Sequence, residues 1–303
     1  MKALVTGSSG FAGHHLVEHL RSCGDDVYGL DRSSGVDVTN ASALDDFVGD
    51  TAPEVVYHLA GFADVGASWD DPTSAFATNA TGTLNLLEAA RRHNVERVLV
   101  VGSADIYGVV TTDELPLGEN QALRPVSPYA ASKVAADFLA LQAWLGHGLP
   151  TIRARSFNHL GPGQSNRFVA AALAERVALA ELGNTDTIEV GNVTPRRDFT
   201  DVRDVVRAYR LLMVSGRSGE AYHVCSGVDL AIRDLAEGLL SLSTKPLTLE
   251  VDPALQRAVD TPVLRGDNSK IRHDVGWQPE IPLNQTLAEL LNEARQRCQS
   301  AET

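Results

Sequence analysis

Five apolar runs of strand length punctuate the first half of the chain, at 3–5, 27–30, 55–59, 98–101 and 151–154. Helical patterns over 13–21, 75–93 and 129–144 separate most of them. Strands that are apolar along their whole length must be buried on both faces. A parallel sheet sandwiched between helices does this, so the pattern predicts an α/β fold with a doubly wound parallel sheet. After about residue 157 the pattern loosens. Loops rich in Gly, Pro and Asn at 161–166 and 183–197 alternate with helical stretches at 169–180 and 202–214. Short strands near 188–190 and 222–224 follow, then helices near 233–242 and 283–298. The reading is a dinucleotide-binding domain over 1–157. Residues 158–303 are mainly a substrate-binding region, partly interleaved with the sheet and roofing its carboxyl end.

Composition narrows the class. The chain has 303 residues, 44% of them hydrophobic, and no apolar run approaches the ~18 residues of a membrane span. Met1-Lys2 leads into a short strand and a turn, which does not read as a secretory leader. Cys23, Cys225 and Cys298 are far apart and suit a reducing compartment, so a cytoplasmic location is expected. A net charge of −13 argues against a nucleic-acid partner. It leaves room for a small anionic ligand, which needs only a few arginines and backbone N–H groups. His14, His15 and His19 read as solvated or packing side chains on the first helix, and no metal site is expected.

The stretch "ALVTGSSGFAGHHL" follows the first strand and opens the first helix. Gly7 permits a tight turn, Gly10 lets backbone approach a pyrophosphate, and Gly13 lets helix and strand pack closely, with Phe11 at the helix start. This is the pattern of a Rossmann dinucleotide site. Asp31, 18 residues beyond Gly13, is placed to take the ribose hydroxyls of an adenosine. That favours NAD(H), while the neighbouring Arg32 could hold the 2′-phosphate of NADP(H). Asp37-Val38 and the "HLAG" run at 58–61, with Leu59 and Ala60, end the next strand-like segments at the same edge. They are expected to line the cofactor, although Asp37 equally suits a turn.

"SPYAASK" at 127–133 opens a helix, with Ser127 as its cap and Pro128 in its first turn. Val134, Ala135, Phe138 and Leu141 recur at helical spacing and are expected to face a core. Tyr129 and Lys133, at i and i+4, share one face. Such a pair is common by chance, so its meaning depends on the rest of the chain.

The TGxxGxxG turn, Asp31, Leu59-Ala60, Asn79 with Gly82-Thr83, Ser103, and Tyr129-xxx-Lys133 together resemble the extended short-chain dehydrogenase/reductases. The resemblance covers nearly the whole chain. It implies chemistry on a hydroxyl or ketone of a nucleotide sugar. Tyr129 would be the proton donor, Lys133 its tuner and ribose anchor, and Ser103 the clamp on the substrate oxygen. A lysine ammonium would favour the phenolate of a tyrosine whose ordinary pKa is about 10. Members of this family that act as 4,6-dehydratases usually carry a glutamate where this chain has Asp105, one methylene shorter and beside Ala104. That departure weighs against dehydration. The stretches at 156–169, 196–209 and 261–271 look like the family's GDP-4-keto-6-deoxy-mannose reductases, which form GDP-D-rhamnose. By that likeness Asn158 would bond the diphosphate or sugar, and Arg197 and Arg257 would pair with phosphate oxygens. Gln164, Phe168 and Val169 would face the guanosine. Alternatives stand beside these roles: Asn158 as a turn residue, and Arg197 as a surface ion pair with Asp198 or Asp201. Asp64 and Ser68 are further candidates to reach the sugar. His58, His159, Asp267 and Lys270 read as structural. The resemblance also implies a homodimer through the helices at 75–93 and 129–144. A 4-epimerase, a 4,6-dehydratase and a non-catalytic dinucleotide sensor are the competing readings.

Overall fold

The computed structural model describes residues 1–183, 185–252 and 261–301. The chain runs through β1 (Lys2–Thr6), α1 (Phe11–Ser22), β2 (Asp26–Leu30), α2 (Ala41–Thr51), β3 (Val55–His58), α3 (Ala67–Asp70), α4 (Pro72–Phe76), α5 (Gly82–Arg92), β4 (Arg97–Val101), α6 (Pro128–His147) and β5 (Thr151–Ser156). It continues through β6 (Asn158–Leu160), α7 (Val169–Leu182), β7 (Thr187–Val190), β8 (Arg196–Asp201), α8 (Val202–Ser215), β9 (Ala221–Val224), β10 (Asp229–Ala231), α9 (Ile232–Leu240), β11 (Thr248–Val251), β12 (Val263–Leu264), α10 (Ser269–Val275) and α11 (Leu283–Ala301).

Six strands form one parallel sheet in the order β2-β1-β3-β4-β5-β9. The direction of winding reverses between β1 and β3, and ligands of such sheets bind at the carboxyl ends beside that point. On one face, Leu16 and Leu20 of α1 pack with Val205, Tyr209 and Leu212 of α8. On the other, Leu44 and Val48 of α2 pack with Leu86 of α5 and Ala140 and Ala143 of α6. A separate core joins α7, α9 and α11. The sheet's last strand, β9, and the covering helix α8 both come from beyond residue 158.

Two local expectations fail, and one strand goes unannounced by the sequence. Asp37-Val38 is not the end of a strand: Asp37 accepts Thr39 N at 2.8 Å and Thr39 Oγ1 at 2.7 Å, folding the segment into a turn. Val38 alone is buried. On α6, Phe138 does not face the core but is 52% exposed, and Ala135 and Leu141 are only half-buried, whereas Val134, partly buried, packs against the core of Ile106, Tyr107 and Phe157. The inward face carries Tyr129, Ala130, Ser132, Lys133, Ala136, Asp137, Ala140 and Ala143. Small residues let α6 lie close to the sheet, so its larger apolar side chains are left on the outer flank. Finally, β8 is buried from Asp198 to Asp201 although its sequence, RRDFTD, is mostly polar, so no apolar pattern announces it.

The helical run through α4 and α5 contains one π turn, Ala77–Thr81. Such single wide turns recur at functional sites. This one holds Asn79, which is 1% exposed.

Candidate active site

The nucleotide end of the site is built by close backbone approach. Gly7 has φ +72°, and a Cβ there would lie 2.8 Å from Ala60 N. A Cβ on Gly13 would collide with the Gly7 carbonyl oxygen. The turn therefore tolerates no side chain at either position. No side chain caps α1, and no acidic residue stands in its first turn. Its leading N–H groups thus remain available to an anion. These features fit the pyrophosphate of a dinucleotide.

Asp31 is more committed than expected. Its Oδ2 accepts Ser8 Oγ at 3.0 Å and Ser9 N at 3.1 Å. Its Oδ1 accepts Ser33 N at 2.8 Å, Ser34 N at 3.2 Å and, at close range, Ser33 Oγ. These donors, Ser33 foremost, hold the carboxyl far below the usual range. Arg32 is exposed, and its side chain makes no hydrogen bond or ion pair among the described residues. Its charge helps hold down Asp37, after the two hydrogen bonds from Thr39.

The reacting end gathers Ser103, Asp105, Tyr129 and Lys133 where β3 and β4 end. Ser127 Oγ caps α6 by accepting Ala130 N at 3.1 Å, and Ser68 Oγ accepts Tyr129 N at 3.2 Å. Ser68 is fully buried and donates to Val65 O at 2.6 Å, while Asp64 caps α3 through Ala67 N at 3.0 Å. Both brace the start of α6 and α3. Lys133 Nζ donates to Val101 O at 3.0 Å. A Cβ on Gly61 would lie 2.8 Å from Asn79 Oδ1 and 3.3 Å from Lys133 Nζ, so the β3 loop, the π turn and α6 converge there. Asn79 accepts Phe62 N at 2.8 Å and donates to Phe62 O at 3.1 Å and Ser132 Oγ at 2.8 Å. It locks that loop to α6.

Burial pushes Lys133 down to about 8. Burial also drives Tyr129 well above its ordinary value; Asp105's charge adds to this, and a hydrogen bond from Ser103 opposes it. Lys133 is not among the leading influences on Tyr129. Burial thus favours the protonated phenol. Ser103 also caps the 3-10 turn Ala104–Tyr107, accepting Asp105 N at 3.2 Å. That turn places Asp105 on the tyrosine's side.

On β6, Asn158 is exposed and its side chain has no partner among the described residues. Phe168, 39% exposed, and Val169 stand at the start of α7. Gln164 is turned inward: Nε2 donates to His159 O at 2.9 Å, and Oε1 is buried without a partner. Arg197 Nη1 donates to the carbonyls of Thr261 at 2.6 Å and Arg196 at 2.9 Å. Neither Asp198 nor Asp201 ion-pairs with it. Asp198 is occupied by Ser226, Gly227 and Gly266, and Asp201 by Arg203 and Thr286. Arg257 lies outside the described residues. His58 bridges Thr6 at 2.8 Å and Thr83 at 3.0 Å, and burial pushes it down to about 3, so it is neutral. His159 stacks on Phe11 with ring centroids 5.9 Å apart. Lys270 is held by Glu220 and Ala221, and Asp267 caps Ser269 N. Sequence reasoning missed Tyr107, Asp137, Arg155 and His223, which form a buried polar chain behind Ser103. No periodicity or motif marks them.

A reversing parallel sheet, a side-chain-free glycine turn and a Ser–Tyr–Lys group at the carboxyl edge define a nicotinamide-dependent oxidoreductase of the extended Rossmann type. The sequence profile of the family described as GDP-mannose 4,6 dehydratase matches residues 34–290, and the chain belongs to this family. It is 36% identical to the GDP-6-deoxy-D-mannose reductase of Pseudomonas aeruginosa, over 98% of each chain. It is 31% identical to the UDP-glucose 4-epimerase of Mycolicibacterium smegmatis, over 99% of this chain and 100% of the relative. Among solved structures, RMD from Pseudomonas aeruginosa, complexed with NADPH, superposes with a TM-score of 0.90 at 35% identity, covering 98% of this chain and 100% of that one. The UDP-glucose 4-epimerase of Thermus thermophilus with NAD gives 0.88 at 28% identity, covering 97% and 99%.

Proposed function

We propose that this protein reduces the C4 ketone of GDP-4-keto-6-deoxy-D-mannose to give GDP-D-rhamnose, using NADH or NADPH. The observation that supports this reading is the gathering of Ser103, Tyr129 and Lys133 at the carboxyl edge of the sheet, where burial favours the protonated phenol that can act as the acid. The likeness to a GDP-6-deoxy-D-mannose reductase over 98% of the chain supports the substrate class.

The glycine turn would hold the pyrophosphate of NADH or NADPH, and the reduced nicotinamide would supply the hydride for C4. Tyr129 Oη gives its proton to the C4 oxygen, so the carbonyl becomes an alcohol and the phenol a phenolate. Ser103 Oγ donates a hydrogen bond to the same oxygen as negative charge grows on it. Lys133, when charged, stabilises the phenolate left behind. Asn158 and Arg197 are read as the diphosphate and sugar contacts, with Phe168 and Val169 on the guanosine side. Gln164 supports that loop from within.

A second reading, dehydration of GDP-mannose, draws on the family profile and on the placing of Asp105 near Tyr129. The two separate in one assay. Protein is mixed with NADH or NADPH and GDP-mannose pre-treated by a 4,6-dehydratase, and reduced-nicotinamide absorbance is followed. Oxidation is expected only with the pre-treated sugar, and Tyr129→Phe should slow it by about 10²–10⁴-fold while still binding cofactor. No oxidation with that sugar, and a 4-keto product from untreated GDP-mannose without reductant, would sink the reductase reading.

The outer flank of α6 exposes Phe138 and Leu145, at 52% and 73%, beside Leu84 of α5 and Phe76 of α4, each 41%. This apolar strip supports a homodimer packed through these helices. Cys23, Cys225 and Cys298 are thiols, in keeping with a cytoplasmic location. No described helix is long and apolar enough to cross a membrane.

A further inference from the structure

The turn carrying Ser103 and Asp105 is tied to the helix carrying Tyr129 and Lys133 by a buried polar chain. The chain starts at Asp137 on α6, one helical turn beyond Lys133. Asp137, 2% exposed, accepts Arg153 Nη1 at 2.8 Å and Arg155 Nε and Nη2, each at 2.9 Å. Arg155 Nη1 then donates to Tyr107 Oη at 2.9 Å and to Glu119 O at 2.7 Å. Tyr107 is the last residue of the Ala104–Tyr107 turn, and its hydroxyl lies 2.6 Å from His223 Nε2 on β9. Burial, aided by the Arg155 charge, pushes His223 down to about 3, so the imidazole is neutral. An arginine can only donate. Tyr107 Oη therefore accepts from Arg155, and the imidazole tautomer sets which of Tyr107 Oη and His223 Nε2 donates in the second bond. Tyr107 and His223 are both 0% exposed, so no solvent competes for either bond.

We propose that Tyr107, clamped between Arg155 and His223, is a positioning residue that fixes the rotation of its turn and so the place of Ser103 Oγ relative to Tyr129. The clamp is anchored on both sides of the reacting group: on α6 through Asp137, and on the Ser103 turn through Tyr107. A hydroxyl that must meet a developing oxyanion has to be held within about 0.5 Å, and a 1 Å error costs about 10²-fold in rate. Arg155 and Asp137 are poor positions for a test, because removing either leaves a buried charge without its partner. Tyr107→Phe removes only the hydroxyl and keeps the ring.

The kinetic part of the test rests on the reductase reading; the exchange part does not. Tyr107→Phe, Ser103→Ala and the double variant are compared in the full-length protein. Tyr107→Phe should lower kcat by about 10–100-fold, with KM for the keto sugar and cofactor affinity changed less than about twofold. In the Ser103→Ala background the same change should cost almost nothing more, because the residue acts through Ser103. Amide hydrogen exchange should rise over 103–108 and stay unchanged over 128–147. An unchanged kcat, an equal loss in both backgrounds, or unchanged exchange over 103–108 would overturn the proposal. If the wild-type protein does not oxidise reduced nicotinamide with the keto sugar, the substrate assignment fails and hydrogen exchange alone decides. Faster exchange confined to 103–108 then sustains the clamp, and its absence overturns it.

Discussion

Burial pushes two ionisable side chains, one helical turn apart, in opposite directions: Tyr129 up and Lys133 down to about 8. In reduction Tyr129 must hold its proton and Lys133 its charge. Since kcat/KM reports the free enzyme, it should fall as pH rises through about 8, where Lys133 becomes neutral. Stability moves the other way at this group. Its folded value lies below the ordinary 10.5, so the unfolded chain binds more protons between about 8 and 10.5, and folding gains with pH in that window. Rate profiles recorded beside thermal melts would separate the two; a rate loss that follows unfolding would refute the assignment. Arg32 carries the second residue-scale prediction. Asp31 is saturated by serines, and Arg32 stands exposed next to it. Arg32→Ala should weaken NADPH binding about tenfold and leave NADH binding within about twofold, read by titration of nicotinamide fluorescence. Equal effects on both would show that Arg32 does not read the 2′-phosphate.

Between elements, the clearest electrostatic joint pairs α7 with α11. Arg295 Nε and Nη2 each lie 2.7 Å from a carboxylate oxygen of Glu181, a bidentate fork. Glu181 also accepts Thr244 N at 2.8 Å. Arg295 foremost holds Glu181 down to about 2, against an ordinary 4.5. A depressed carboxyl contributes stability that is present above about 4.5 and lost as pH falls through about 2. Glu181→Gln should therefore lower Tm by about 2–4 °C at pH 7, with the gap closing as pH falls toward 2. Melting curves that differ equally at pH 7 and pH 3 would contradict this.

Over the whole molecule, the open question is what covers the outer flank of α6. Phe138→Glu should leave the catalytic face of that helix intact, because the inward face carries Tyr129 and Lys133 instead. A homodimer built on this flank should dissociate in the variant, seen as a halved mass by light scattering, with nicotinamide binding retained. An unchanged mass would place the interface elsewhere. The same helix shows how far sequence reading carries. Its apolar spacing reads as a core-facing side, but periodicity does not tell a chain's own core from an exposed apolar flank. Asp31 is a similar case. Its position at the end of β2 followed from the glycine turn, whereas its capture by Ser8, Ser9, Ser33 and Ser34 did not.

The sequence by itself determined the features whose physics is local. The parallel sheet follows from strands apolar along their whole length. The glycine turn follows from three spacings, and the shared face of Tyr129 and Lys133 from one helical turn. Tertiary structure decided whatever depends on residues far apart in the chain. It brought β9 to the sheet edge, buried the polar strand β8 by giving Asp198 and Asp201 donors from distant loops, and joined Asp137, Arg155, Tyr107 and His223 behind Ser103. It also raised Tyr129 above its ordinary value, because burial is a property of the packed molecule and no spacing of residues encodes it.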